Sequence, residues 1–129
     1  MKLTIVVPCF NEAPTLQQLH ARVTRSVQDA VGLDFELILV NDGSRDHTWA
    51  TMTQLADTDP RVVAINLSRN HGHQLALSAG LSLAQGDRVL ILDADLQDPP
   101  ELLPQMMQLM DEGADVVYGQ RIQRQGETL

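Results

Sequence analysis

Five short aliphatic runs, separated by stretches of helical period, constrain this chain more than any other feature. Leu3 to Val7, Phe35 to Val40, Val62 to Leu67, Arg88 to Leu92 and Asp115 to Tyr118 read as strands. Continuous apolar runs of this length, rich in branched side chains, suit strands buried on both faces of a parallel sheet. After Pro14, which a first helical turn tolerates, Leu16, Leu19, Val23 and Val27 recur with helical spacing, and Gly32 is placed to stop that helix. A second helix is predicted near Asp46 as cap, with Trp49, Met52 and Leu55 on one face. The third follows Gly72 and runs through Leu75, Ala79 and Leu83 to Gly86 as C-cap. The fourth has Asp98 as cap, Pro99 in its first turn and Glu101 at the capping-box position, then Leu103, Met106, Met107 and Met110 up to Gly113. Strict strand and helix alternation with short links predicts an α/β fold, a mostly parallel twisted sheet with helices on both faces.

The 129 residues suit a single domain with a real core. A formal charge of −8 argues against a nucleic-acid backbone as partner, though not against a nucleotide as a small ligand. The lone Cys9 excludes an intramolecular disulfide framework and reads as packing. The apolar start is cut short by Pro8, too early for a signal peptide, and no segment has the length of a membrane span, so residues 1–129 read as a soluble domain. From Gly119 to Thr128 the composition turns polar with no closing element, which predicts a domain cut from a longer protein.

Chemistry concentrates where Val89-Leu90-Ile91-Leu92 ends in Asp93-Ala94-Asp95-Leu96-Gln97-Asp98. Ligands of parallel sheets bind beyond the carboxyl ends of the strands. In extended chain, residues two apart point the same way, so Asp93 and Asp95 are expected to converge on one hard cation, with substrate phosphate and water completing its shell. An isolated Asp-x-Asp also reads as an acidic turn leading into the next helix, and the cap role accounts for Asp98. The other strand ends carry Pro8-Cys9-Phe10-Asn11-Glu12, Asn41-Asp42-Gly43-Ser44 and Ser68-Arg69-Asn70-His71-Gly72-His73. Asp42 follows a buried strand and could accept from a base N–H or a ribose hydroxyl, or serve as a turn or cap. No Gly-x-Gly-x-x-Gly or Walker loop is present, so phosphate must be neutralised another way; a metal on Asp93 and Asp95 would do it, with Arg121 or Arg124 as later cationic help. His71 and His73 bracket Gly72 without a third nitrogen or sulfur ligand nearby, which disfavours zinc. His20 and His47 read as helix-face residues, and Met106, Met107 and Met110 as core. No Gly-x-Ser-x-Gly elbow supports a serine hydrolase.

Taken in order, Val6-Val7-Pro8-Cys9-Phe10-Asn11-Glu12, Leu39 to Ser44, Ser68 to His73 and Asp93 to Glu101 closely resemble glycosyltransferase family 2. The Asp-Leu-Gln-Asp-Pro-Pro-Glu string and Val117-Tyr118-Gly119-Gln120-Arg121 narrow the resemblance to the dolichol-phosphate mannosyltransferase and bacterial polyprenyl-phosphate glycosyltransferase branch. It covers residue 3 to about residue 128. The resemblance implies a Rossmann-like GT-A fold, here ending after the fifth strand, so that residues 1–129 form its N-terminal nucleotide-sugar-binding part. It also implies a UDP- or GDP-linked sugar donor, Mg²⁺ or Mn²⁺, and a lipid-phosphate acceptor of the cell envelope. By position, Pro8, Phe10, Glu12 and Asp42 would line the nucleoside site, with Asp42 beside the base. Asp93 would approach ribose, diphosphate and metal, Ala94 would line the donor site, and Asp95 would ligate the metal. Gln97 resembles a further metal ligand, and Arg121, with Arg124 in a similar place, would approach donor or acceptor phosphate.

A lipid phosphate, with its second pKa at about 6, is largely ionised near neutral pH and could attack the anomeric carbon without a general base, with inversion as the family expectation. A full-length protein of this kind would sit at the cytoplasmic side of a membrane, and this piece could bind donor without transferring sugar. Relatives that act on glycan hydroxyls are an alternative reading. The Asp-x-Asp after a strand is also similar to the nucleophile motif of haloacid-dehalogenase phosphatases. That motif opens its fold, however, and needs a later lysine, whereas Lys2 is the only lysine in this chain.

Overall fold

The computed structural model describes residues 1–31 and 34–117. The chain alternates β1 (Leu3–Cys9), α1 (Ala13–Val31), β2 (Phe35–Asn41), α2 (Thr48–Thr58), β3 (Val62–Asn66), α3 (His73–Ser82) and β4 (Arg88–Ile91), followed by a 3₁₀ turn (Pro100–Leu102) that runs into α4 (Leu103–Asp111). The four strands form one parallel sheet in the order β3-β2-β1-β4. β1 pairs with β2 from Leu3 opposite Phe35 to Cys9 opposite Asn41, and every residue of both central strands is buried. The edge strands are half-exposed, with Val89 and Ile91 open on β4.

Helices cover both faces, as alternation predicts. Leu16, Leu19, Val23 and Val27 of α1, Met52 and Leu55 of α2, and Leu103 and Met107 of α4 pack on Ile5, Val7, Leu37 and Leu39. Burying each of the larger side chains contributes on the order of 1.5–3 kcal/mol relative to exposure. Among the described residues the opposite face is covered by α3, with Ala76 against Val6, Ile38 and Val40. Here the expected helix face is wrong. Leu75 and Leu83 are exposed, α3 ends at Ser82, and the buried positions are Ala76 and Gly80. A Cβ on Gly80 would lie 2.5 Å from Val6 Cγ1, so small residues let the helix settle onto the sheet. Because the segment is apolar on nearly every side, periodicity does not mark that stripe.

Gly86 is not the C-cap of α3, a position that Leu83 holds. It lies where a Cβ would meet the Thr4 amide nitrogen at 2.6 Å, and its N–H donates to Thr4 Oγ1 at 2.8 Å. Thr4 Oγ1 donates to Glu36 at 2.6 Å, and Gln85 N–H donates to the same Glu36 oxygen at 2.6 Å. Two polar residues inside the central strands are thereby satisfied and hold the link into β4.

Two other helix starts differ from expectation. Asp46 lies two residues before α2, where Oδ1 accepts the Thr48 N–H at 2.9 Å and the Thr48 hydroxyl, which holds its carboxyl below the usual range. Pro99, not Asp98, stands at the cap position of the 3₁₀ turn, and Glu101 forms a bidentate pair with Arg22 of α1 instead of completing a capping box. The expected fifth strand is not formed over 115–117. Asp115, Val116 and Val117 line a groove of about 510 Å³ along β4, and Val116 is 78% exposed. Tyr118, the Gly119 to Thr128 segment and the helix stop at Gly32 lie outside the described residues.

Candidate active site at the β1/β4 switch point

From β1 the chain builds outward through β2 to β3, and then returns to lay β4 on the other side of β1. The loops after β1 and β4 both lead to helices on one face, α1 and α4, whereas the loop after β3 leads to α3 on the other. A crevice therefore opens at the carboxyl ends between the β1 and β2 ends and the β3–α3 loop, where open parallel sheets bind ligands. Pro8, Cys9, Phe10, Asp42, Asn70, Gly72 and His73 enclose a cleft of about 220 Å³ there. Phe10 is 45% exposed and forms an apolar wall, while Asp42 is buried. Cys9 is core, as expected. Burial, reinforced by the charge of Glu12, pushes its thiol up to about 12, so it is no nucleophile.

The loops around the cleft are interlocked. Asp42 Oδ1 accepts the His71 N–H at 2.7 Å, so this carboxylate both faces the cleft and holds the loop after β3. Gly43 has φ +70°, and a Cβ on it would meet the Asn70 amide nitrogen at 2.2 Å. Asn11, also with positive φ, receives the Arg45 N–H at 2.8 Å and donates its own N–H to Ser44 Oγ at 2.9 Å. Glu12 N–H donates to Thr48 Oγ1 at 2.9 Å. Of the residues for which the resemblance implies a nucleoside site, Pro8, Phe10 and Asp42 line this cleft, and Glu12 lies beside its wall on the hydrogen-bonded loop after β1.

The acidic segment departs from the extended geometry expected of it. β4 ends at Ile91, the chain turns at Ala94 and Asp95, and Leu96 adopts φ +64°. Asp95 Oδ1 accepts the Gln97 N–H at 3.1 Å, a local turn that competes with strand continuation. Asp93 and Asp95 are therefore presented by a turn rather than by strand alternation. Ala94 is buried between them, and its carbonyl accepts the Thr15 hydroxyl at 2.9 Å. Gln97 and Asp98 line the β4 groove. Arg121 and Arg124 lie outside the described residues.

Thr15 carries no signal in the sequence, and His73 is singled out there only beside His71 as a disfavoured zinc pair. His73 Nε2 lies 4.0 Å from Asp93 Oδ1, while the His71 backbone serves Asp42, so the two histidines part company. Among the described residues no three His, Cys, Asp or Glu side chains come together as a metal cage. Two carboxylates on one turn suit the other kind of site, in which a hard cation keeps waters and shares the oxygens of a substrate diphosphate.

Residues 4–129 match the model of glycosyl transferase family 2. The chain is 43% identical over 99% of its length to the uncharacterized glycosyltransferase YkcC of Bacillus subtilis. It is 40% identical over 96% to the bactoprenol glucosyl transferase of Shigella phage SfV, and 42% identical over 96% to the undecaprenyl-phosphate 4-deoxy-4-formamido-L-arabinose transferase of Proteus mirabilis. It spans 39%, 40% and 38% of the length of these three relatives. Among solved structures, S. aureus TarS in complex with UDP superposes with a TM-score of 0.68 at 25% identity, over 87% of this chain and 32% of that one. The mannosyltransferase PcManGT of Pyrobaculum calidifontis, in complex with GDP-Man and Mn²⁺, gives 0.69 at 25% identity, over 83% and 31%.

Proposed function

The chain belongs to glycosyl transferase family 2, and on that premise we propose that it is the donor-binding part of an enzyme that transfers a sugar, with inversion, from a nucleotide-sugar to a polyprenyl phosphate. One observation carries the reading: an Asp-Ala-Asp turn after β4 lies beside a cleft walled by Phe10 and buried Asp42, with His73 of that cleft 4.0 Å from Asp93. That is the arrangement a nucleoside diphosphate needs, an apolar wall and an acceptor for the nucleoside and hard oxygen ligands for the phosphates. The relatives named for bactoprenol and undecaprenyl phosphate support the acceptor class.

Pro8, Phe10, Glu12 and Asp42 bind the nucleoside, and Asp42 keeps its second carboxylate oxygen for a base N–H or ribose hydroxyl. Asp93, Asp95 and Gln97 hold Mg²⁺ or Mn²⁺, which when bound supplies positive charge to the departing diphosphate. Without a cation these carboxylates would repel the donor. Ala94 keeps the turn packed against the core, and Arg121 orients donor or acceptor phosphate. The acceptor is itself an anion near neutral pH, with a second pKa of about 6, so it attacks the anomeric carbon without a base from this chain. The whole protein works at the cytoplasmic face of a membrane. Among the described residues no helix is long and apolar enough to cross one.

A donor panel of UDP- and GDP-linked sugars with short-chain polyprenyl phosphate and Mg²⁺ or Mn²⁺, assayed on the full-length protein, tests this directly. Sugar-linked lipid of inverted anomeric configuration is the expected product. Transfer to a glycan hydroxyl but not to polyprenyl phosphate would overturn the acceptor assignment.

A further inference from the structure

The two halves of the crevice meet at one hydroxyl. Thr15, in the first turn of α1, has Oγ1 2.9 Å from the Ala94 carbonyl oxygen, 3.1 Å from Glu12 Oε2 and 3.1 Å from the Glu12 carbonyl oxygen. A threonine hydroxyl has one proton to donate, and neither a carbonyl nor a carboxylate can donate back to it. Three acceptors therefore compete for one hydrogen bond. Donation to Ala94 ties the acidic turn to α1, whereas donation to Glu12 releases that tie and orients the carboxylate instead.

We propose that Thr15 is a positioning residue that couples nucleoside binding at the Glu12 rim to the cation-holding posture of the Asp93–Asp95 turn. When a ligand hydroxyl or N–H satisfies the Glu12 carboxylate, the Thr15 proton is freed for the Ala94 carbonyl. The turn is then held from its centre, between its two aspartates. A cation on the turn favours the same arrangement, and because coupling between sites is reciprocal, it favours nucleoside binding equally. The bond spans the switch point itself, from the α1 side of the β1 loop to the end of β4. It thus joins two loops that the pairing of β1 with β4 sets side by side but that no backbone ladder connects beyond the strand ends. Thr15 touches neither donor nor cation in this scheme, so its effect is on their interdependence.

The inference rests on the nucleotide and metal reading above, and the experiment separates the two. Affinities for UDP and GDP are measured by calorimetry in Mn²⁺ and in chelator for the wild-type chain, Thr15→Val and Thr15→Ser. Thr15→Val keeps the shape and loses the proton, while Thr15→Ser keeps the proton. Losing one hydrogen bond of ordinary strength predicts that the Mn²⁺-to-chelator affinity ratio falls about fivefold in Thr15→Val, with affinity in chelator unchanged. Thr15→Ser restores the wild-type ratio. Thermal melting of each variant checks that the fold is kept. A wild-type chain with no Mn²⁺ dependence would sink the metal reading itself. A wild-type ratio in Thr15→Val would overturn only the role of Thr15, as would equal losses in both media or a failure of Thr15→Ser to restore the ratio.

Discussion

Asp42 Oδ1 accepts the backbone N–H of His71 at 2.7 Å, which makes the acidic residue ending the β2 side of the crevice a brace for the loop beyond β3. Asp42→Ala should therefore do two things. It should weaken nucleotide binding by about 1–3 kcal/mol, the range for a lost charged acceptor or an orphaned donor, and it should lower the melting temperature. Asp42→Asn retains an oxygen for His71, so its stability should stay near wild type while nucleotide affinity still drops. Calorimetry paired with thermal melting resolves the two. Unchanged nucleotide affinity in Asp42→Asn would reduce Asp42 to a brace.

Asp95 has a similar double duty, because its Oδ1 holds the Gln97 N–H. Asp95→Asn keeps an acceptor for that turn while removing the charge, and it should abolish most of the gain that Mn²⁺ gives to nucleoside diphosphate binding. Unfolding free energy should change by less than about 1 kcal/mol, since the site is exposed. Full Mn²⁺ enhancement in the variant would remove Asp95 from the cation site.

Gly80 faces Val6 Cγ1 at 2.5 Å and Val40 Cγ2 at 3.1 Å from the position a Cβ would take. Alanine raises helix propensity by about 1 kcal/mol, but overpacking a rigid contact costs about 1–3 kcal/mol. The packing term should win, so Gly80→Ala should be destabilising in urea denaturation. A stabilised variant would mean that α3 shifts freely over the sheet.

At the opposite end of the sheet, Asp59 accepts two hydrogen bonds from the Arg61 guanidinium and one contact from His20 Nε2 at 2.7 Å. Arg61, ahead of His20, holds this carboxyl well below the usual range despite its burial. A depressed folded value means that the group's contribution is complete above the ordinary carboxylate pKa of about 4 and fades as pH falls through the folded value. The stability difference between wild type and Asp59→Asn should be flat from pH 7 to about 5 and shrink below about 4. Urea titrations across that range measure it, and a constant difference into strong acid would deny the pairing.

The four strands that form and the buried face of α1 were written in local pattern, as was the gathering of polar residues at strand ends. Runs such as Leu37-Ile38-Leu39-Val40 have one low-energy use, burial between two layers, and polar residues at strand ends fall at the open end of a parallel sheet. The resemblance carried by those strand ends reached the family. Tertiary structure alone decided what depends on neighbours distant in the chain. The order β3-β2-β1-β4 sets β1 and β4 side by side, which no local period encodes. The seat of α3 follows from Gly80 meeting Val6, a contact invisible in a segment apolar on nearly all sides. The Asp93 to Gln97 segment turns because Asp95 captures the Gln97 N–H, a short-range bond that outcompetes the extended chain its sequence suggested. Thr15 and His73 gain their relation to Ala94 and Asp93 only once β4 lies beside β1 in the folded sheet, because hydrogen bonds and charges act over a few ångströms and sequence separation says nothing about that distance.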